Sequence, residues 1–280
     1  MLKYKNIYIC VSLILVSFSI NFFIASNGVY PVDTFIHYDN GFRILLGDNP
    51  VVDYWIVHGF IIDYMQAFFF KIFGNNWYSY LIHSSLFNVA ITLYSYFIFR
   101  ILKVNYYLAF LIAIFVAILA YPVSGTPFLD LHSSFFSLFA IYFAIIAIEK
   151  DKDIYWFWTS IFLGFAFFSK QVPAAYTIIG LGVINIYFAI IKKKISLFNN
   201  FAVGGILFLI LLLFFLELKE IPIRDFIIQI FLFPQSIGVD RFQTYDLTLK
   251  NTFFDYKFIY IIFFTIFILN IIQLIKLKIR

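Results

Sequence analysis

Lys192-Lys193-Lys194 is followed by Ile195-Ser196-Leu197-Phe198-Asn199-Asn200-Phe201-Ala202-Val203-Gly204-Gly205-Ile206-Leu207-Phe208-Leu209-Ile210-Leu211-Leu212-Leu213-Phe214-Phe215-Leu216, a run without one acidic or basic residue. A helix of about 20 apolar residues crosses the ~30 Å hydrocarbon core of a bilayer. The stretch from 200 to 216 therefore reads as a transmembrane helix, with the three lysines stopping it at the cytoplasmic surface. Comparable runs occur at about 7–25, 78–99, 104–121, 133–148, 154–169, 173–191 and 257–275, which makes eight. The composition agrees: 63% of the 280 residues are hydrophobic and 12% charged, with a mean hydropathy of +0.94. Soluble domains run near 45–50% and ~25%, so a soluble enzyme, a disulfide scaffold and a disordered chain are all excluded. The fold class expected is an all-α polytopic membrane protein, with about eight transmembrane helices plus interfacial helices in the first outer loop.

The run at 7–25 follows Lys3 and Lys5 and is longer than the 7–15 apolar residues of a signal peptide. It reads as a retained helix with its amino end inside. The single cysteine, Cys10, lies within it and can form no internal disulfide. Residues 26–77 differ, carrying Asp33, His37, Asp39, Arg43, Asp48, Asp53, His58, Asp63 and Lys71 among apolar residues. Within them, Thr34 to Leu46 has helical spacing and suits the membrane interface. The stretch 58–73 is short and interrupted by Asp63 and Gln66, and reads as interfacial or re-entrant. Gly74-Asn75-Asn76 ends it.

Charge asymmetry tests this arrangement. With 26–77 outside, Lys3, Lys5, Arg100, Lys103, Lys150, Lys152, Lys192 to Lys194, Lys276, Lys278 and Arg280 all fall at inner ends, with only Glu149, Asp151 and Asp153 among the acids. That is the positive-inside pattern. Making 58–73 a full span would put the triple lysine outside. Both termini are thus expected in the cytoplasm, and the two substantial outer segments are 26–77 and 217–256. The basic residues are explained as topology signals and imply no nucleic-acid partner.

Ionisable residues near membrane depth cost about 2.5–3.5 kcal/mol on insertion scales and mark candidate sites. Four places on the outer side qualify. Asp33 lies just beyond the first helix, where it is equally a helix N-cap. Asp53-Tyr54-Trp55-Ile56-Val57-His58-Gly59 carries a histidine, the side chain that titrates near neutrality, at the start of a helix that could receive a phosphate; a Trp/Tyr/His interface anchor is the bland alternative. Pro127-Phe128-Leu129-Asp130-Leu131-His132 joins two spans, and Asp130 is also a cap candidate. Ser169-Lys170-Gln171 puts a lysine on the outer side against the charge bias, where it can snorkel or bind a lipid phosphate. His83, inside a span, reads as a packed polar residue. No HExxH, CxxC, P-loop or GxSxG pattern occurs.

The order of these features resembles the membrane glycosyltransferases of GT-C fold, in particular the branch of protein O-mannosyltransferases and lipid A aminoarabinose transferases. Their acidic first loop and G-x-x-P-Y-x-D-x-x-x-x-H-G-P stretch compare with Asp33-Thr34 and Gly47-Asp48-Asn49-Pro50-Val51-Val52-Asp53-Tyr54-Trp55-Ile56-Val57-His58-Gly59-Phe60. Phe70-Lys71-Ile72-Phe73-Gly74, Asp130 and Gly164-Phe165-Ala166-Phe167-Phe168-Ser169-Lys170-Gln171 follow in the family's order. Thr34 stands where a second carboxylate is common, which argues against a metal, and Phe60 replaces the proline. Family members are usually longer.

The resemblance covers about 1–195 and implies a GT-C-like catalytic module there, with first outer loop 26–77. Residues 196–280 then add two transmembrane helices with outer loop 217–256. It implies an inverting transfer of a hexosyl or pentosyl group, on the outer face of a bacterial inner membrane, from a polyprenyl-phosphate donor to a hydroxyl acceptor on a lipid, glycan or protein. Asp33 would be the catalytic base. His58, Lys170 and Arg43 would meet the donor phosphate, and Asp130, Gln171, His132 and Asp53 the acceptor or sugar. No cofactor or metal is called for, and the partners are membrane lipids, donor and acceptor. The rivals are a non-catalytic membrane scaffold and a lipid or glycan transporter component of envelope assembly. A transporter would be expected to show inverted repeats or paired broken helices, and the sequence shows neither.

Overall fold

The computed structural model describes residues 2–28, 33–244 and 248–278. Tyr30-Pro31-Val32, Arg280 and the side chains of Lys3, Lys5, Lys276 and Lys278 lie outside that description. The described residues form helices and an isolated bridge between Pro50 and Tyr54, and divide into two compact units, 1–231 and 232–280.

The first unit runs α1 (Leu2–Ser26), α2 (Thr34–Leu46), α3 (Ile61–Phe73), α4 (Trp77–Ile101), α5 (Tyr106–Leu119), a 3-10 turn (Tyr121–Val123), α6 (Leu129–Lys150), α7 (Ile154–Phe167), α8 (Gln171–Lys192), α9 (Ile195–Leu218) and α10 (Ile223–Ile227). A π-helical turn, Ile228–Leu232, follows. In the second unit α11 (Phe233–Thr244) and α12 (Leu249–Asp255) precede α13 (Lys257–Lys278). Among the described residues, six segments are long and apolar enough to span a membrane: Asn6–Ser26, Trp77–Ile101, Tyr106–Val123, Leu129–Lys150, Gln171–Ile191 and Ile195–Leu218. The shorter apolar helices Ile154–Phe167 and Lys257–Leu269 complete the set of eight apolar runs read from the sequence.

Lipid tails are as apolar as leucine, so close packing and interhelical hydrogen bonds must hold spans together. Asn21 of α1 donates to Ser84 and Ser85 of α4, both at 3.0 Å, and to Gly125 O at 3.1 Å. Asn88 of α4 donates to Ser17 O and Ala117 O, both at 2.9 Å, tying α4 to α1 and α5. Ser95 and the Tyr142 hydroxyl join α4 to α6 at 2.7 Å. Gly204 gives α9 its close approach to α7, for a Cβ there would lie 2.2 Å from Ser160 Oγ and 2.4 Å from Phe157 O. The α7 helix packs against α6, α8 and α9 and buries Trp156, Ile161, Leu163 and Ala166.

Polar groups close the α6–α7 and α8–α9 turns at one end of the bundle. Asp151 accepts from Lys192 at 2.7 Å and Lys194 at 2.8 Å, and Asp153 accepts from Ser196 at 2.5 Å. The two lysine bonds hold the Asp151 carboxyl down at about 2. The opposite end carries α2 and α3. The α2 helix turns its apolar side chains Phe35, Leu45 and Leu46 outward and buries Thr34, His37, Asn40 and Gly41. Its bounds, Thr34–Leu46, are those the helical spacing predicts.

Candidate functional site

Asp33 begins this end. It occupies the N-cap position of α2 with φ −90° and ψ −4°, its carboxylate exposed and forming no side-chain capping bond. A capping aspartate accepts from the N2 or N3 amide. That bond is missing, so the cap reading loses its physical basis. Beside it, the Tyr80 hydroxyl of α4 donates to Thr34 O and lies 3.2 Å from Pro127 O. The start of α2 is therefore held next to the loop that leads to Asp130.

The His58-Gly59 turn docks on the end of α7. A Cβ on Gly59 would lie 1.8 Å from Phe168 O, and Ile61 N–H donates to the same carbonyl at 3.2 Å. Two residues on, Lys170 Nζ donates to both oxygens of Asp130, at 2.6 and 2.7 Å. Ser133 Oγ fixes the Lys170 carbonyl at 2.9 Å. Lys170 and Asp130 are each about one-third exposed, 33% and 40% by side chain, so the pair is accessible from outside.

The other residues singled out by sequence scatter around this pair. Gln171 donates to Ile230 O at 2.8 Å. Arg43 is half-buried, pairs with Asp39 at 2.8 Å and stacks over the Tyr54 ring at 5.5 Å. Asp53 is exposed and accepts from Asn49 N–H at 2.6 Å, closing its own turn. His58 is buried with Nδ1 2.8 Å from Gly59 O; burial pushes its pKa down, and the charge of Lys170 adds to that.

Inside this shell lies a polar cluster of which sequence reasoning singled out only His58 and His132. All four histidines of the chain are buried. His37 Nδ1 is 2.6 Å from Asp63 Oδ1, and Asn40 donates to Asp63 Oδ2 at 3.0 Å. The His37 and His58 rings stand edge to face, centroids 5.1 Å apart. His132 Nε2 is 3.1 Å from His83 Nε2, His83 Nδ1 is 2.9 Å from Gln66 Oε1, and His132 Nδ1 is 2.7 Å from the Tyr121 hydroxyl. The signal available was weak: Asp63 and Gln66 interrupt an apolar helix, and His37 shares the polar side of α2 with Thr34 and Asn40.

The turn, the lysine and the aspartate all fall within residues 57–217, the segment that matches a profile of the dolichyl-phosphate-mannose-protein mannosyltransferase family. The match spans more than half of the 280 residues. The chain belongs to that family. It is therefore a membrane glycosyltransferase by kinship, and Asp33 lies just outside the matched segment. No curated protein and no solved structure matches this mannosyltransferase-family chain significantly.

Proposed function

We propose that this chain transfers a sugar from a polyprenyl-phosphate donor to a hydroxyl acceptor at the outer membrane face, and that Asp33, Lys170 and Asp130 carry the reaction. The Lys170–Asp130 pair is the observation that supports it. An exposed-side cation within a family-matched segment, held beside the end of a span, is placed to meet a lipid phosphate. In this reading residues 1–195, with loop 26–77, supply the chemistry, and 196–280 add two helices around loop 217–256.

The acceptor oxygen attacks the anomeric carbon from the face opposite the phosphate. Asp33 takes the hydroxyl proton as the new carbon–oxygen bond forms. The anomeric carbon–phosphate oxygen bond breaks, and its electron pair leaves on the prenyl phosphate. Lys170 meets that developing charge, and Asp130 is freed to accept from sugar or acceptor hydroxyls. His58 is turned inward and supports the turn beside Lys170. A prenyl chain needs an apolar bed, and a cavity of about 230 Å³ lined by Phe60, Tyr64, Ile161, Phe165, Leu212 and Phe215 lies where α3, α7 and α9 meet.

The deciding experiment is Asp33→Asn, assayed for sugar transfer from a prenyl-phosphate donor in membranes. Loss of a general base costs about 10²–10⁴-fold, so transfer should fall by that order while insertion and folding persist. Full activity in Asp33→Asn would end the catalytic assignment.

A further inference from the structure

Gln229 is the one polar side chain in the run Ile227-Ile228-Gln229-Ile230-Phe231, and it is only 5% exposed. Its amide spans part of the first outer loop. Nε2 donates to Val51 O at 2.9 Å, and Oε1 accepts from Ile56 N–H at 3.0 Å. A carbonyl only accepts and a backbone N–H only donates, so this orientation of the amide is forced. Both partners are remote in the chain, 178 and 173 residues away. Val51, Ile56, Phe168 and Ile230 pack around it as buried members of one apolar cluster, which shuts out water as a substitute partner.

The loop so gripped needs holding. Val51 has φ +77°, in the left-handed region where a β-branched residue is an outlier. Such a conformation persists only where the surroundings over-determine it. Val51 N–H donates to Tyr54 O at 3.0 Å and its carbonyl accepts from Gln229, so both backbone groups are tied. On the other side, Gln171 donates to the carbonyl of Ile230 at 2.8 Å. The π-helical turn Ile228–Leu232 therefore joins loop 51–56 to the residue after Lys170. π-helical turns are rare and recur at functional sites. A second tie, from Gly59 and Ile61 to Phe168 O, meets the chain two residues before Lys170.

We infer that Gln229 is a positioning residue for sugar transfer: by joining loop 51–56 to the π-helical turn, it sets where Lys170 stands against the leaving phosphate. The role rests on the reaction proposed above. It brings the outer segment 217–256 into the site without any contact with substrate. Misplacement by about 1 Å, from a change far from the chemistry, can cost ~10²-fold in rate.

Gln229→Met, which fills similar space without an amide, is assayed in lipid nanodiscs with a prenyl-phosphate sugar donor. The kcat should fall ~10–100-fold with donor KM little changed, as expected of a contact that matters while charge develops. On a Lys170→Met background the same substitution should add nothing, because Gln229 acts through that lysine. Asn185→Ala removes another buried amide, bonded to Leu197 O at 3.2 Å toward the far end of α8; it controls for lost stability and should transfer normally. Hydrogen exchange of residues 50–61, read by mass spectrometry, follows the clamp without any reaction and should quicken in Gln229→Met. Unchanged exchange overturns the clamp. Faster exchange with normal kcat, a full further loss on the Lys170→Met background, or an equal loss in Asn185→Ala overturns the positioning role. If the unsubstituted chain moves no sugar, the proposed reaction falls and this role with it, while exchange still reports the clamp. Should Gln229→Met fail to insert, Gln229→Asn, one methylene too short to span both groups, is read in the same way.

Discussion

His132 Nε2 and His83 Nε2 face each other at 3.1 Å, so one ring gives the shared proton and the other accepts it. Phe128 N–H donates to the Tyr121 hydroxyl at 3.1 Å. That hydroxyl lies 2.7 Å from His132 Nδ1, which is also 3.3 Å from Phe128 O. His83 Nδ1 lies 2.9 Å from Gln66 Oε1. The bonds link the α6 entry loop through α4 to α3.

Breaking that chain should show non-additivity. His132→Phe orphans the Tyr121 hydroxyl and His83 Nε2, at about 1–3 kcal/mol for each stranded buried group. His83→Phe strands His132 and Gln66 similarly. The double substitution should cost less than the two singles together, as read from thermal unfolding of the detergent-solubilised protein.

Lys170 and Asp130 separate binding from stability. Each is partly exposed, so their pairing stabilises the fold by no more than about 1 kcal/mol. Lys170→Met should leave the melting temperature nearly unchanged while lowering kcat/KM for the prenyl-phosphate donor. A large fall in stability with normal kinetics would assign the pair to architecture alone.

Gly59→Ala should be far worse than its size suggests. The added methyl would sit 1.8 Å from Phe168 O, a backbone atom that cannot swing aside. Overpacking of this kind costs about 1–3 kcal/mol and upward. Gly180→Ala in α8, which meets nothing within 4 Å, is the matched control and should be neutral or slightly stabilising.

Asp151 supplies a pH signature. The hydrogen bonds from Lys192 and Lys194, then their charges, lower its pKa from 3.8 to about 2. A depressed carboxyl contributes its stabilisation above the unfolded pKa and loses it as pH falls through the folded one. The contribution should therefore be complete above pH 4 and vanish toward pH 2. Carbon-detected NMR of labelled aspartate should place the midpoint there, and Lys192→Met with Lys194→Met should return it toward 3.8.

Orientation follows from cysteine labelling in a Cys10→Ser background. An impermeant maleimide should mark a cysteine at Asn49 in sealed cells and spare one at Lys193. Labelling at Lys193 would invert the arrangement.

The spans and α2 were legible in the sequence because apolar run length and helical spacing are local properties. Membrane helices of full length need no distant partner to be recognised. The centre was less so. His37, His58, Asp63, His83 and His132 come together only after four helices and a turn are assembled, and of the five only His58 stands in a spacing motif. Lys71, Asp48 and Asp53 looked the same in sequence yet stay outside. His83 was read as a packed polar residue, and its hydrogen bonds to Gln66 and His132 bear that out. Polar residues on α2 are also misleading by analogy with soluble proteins, since here the apolar side faces outward and the polar side packs.

The α7 helix has fourteen residues, a rise of ~21 Å against a hydrocarbon layer of ~30 Å. One end is pinned by the Asp151 and Asp153 bonds to the lysine turn. The other leads through Phe168 and Ser169 to Lys170, which reaches Asp130 in the first turn of α6. That helix has twenty-two residues and rises ~33 Å, and its far end adjoins Asp151. Irregular backbone therefore makes up what α7 lacks, and lipid tolerates such backbone only where protein satisfies its polar groups. Ile61 N–H and Ser133 Oγ do so, donating to the carbonyls of Phe168 and Lys170.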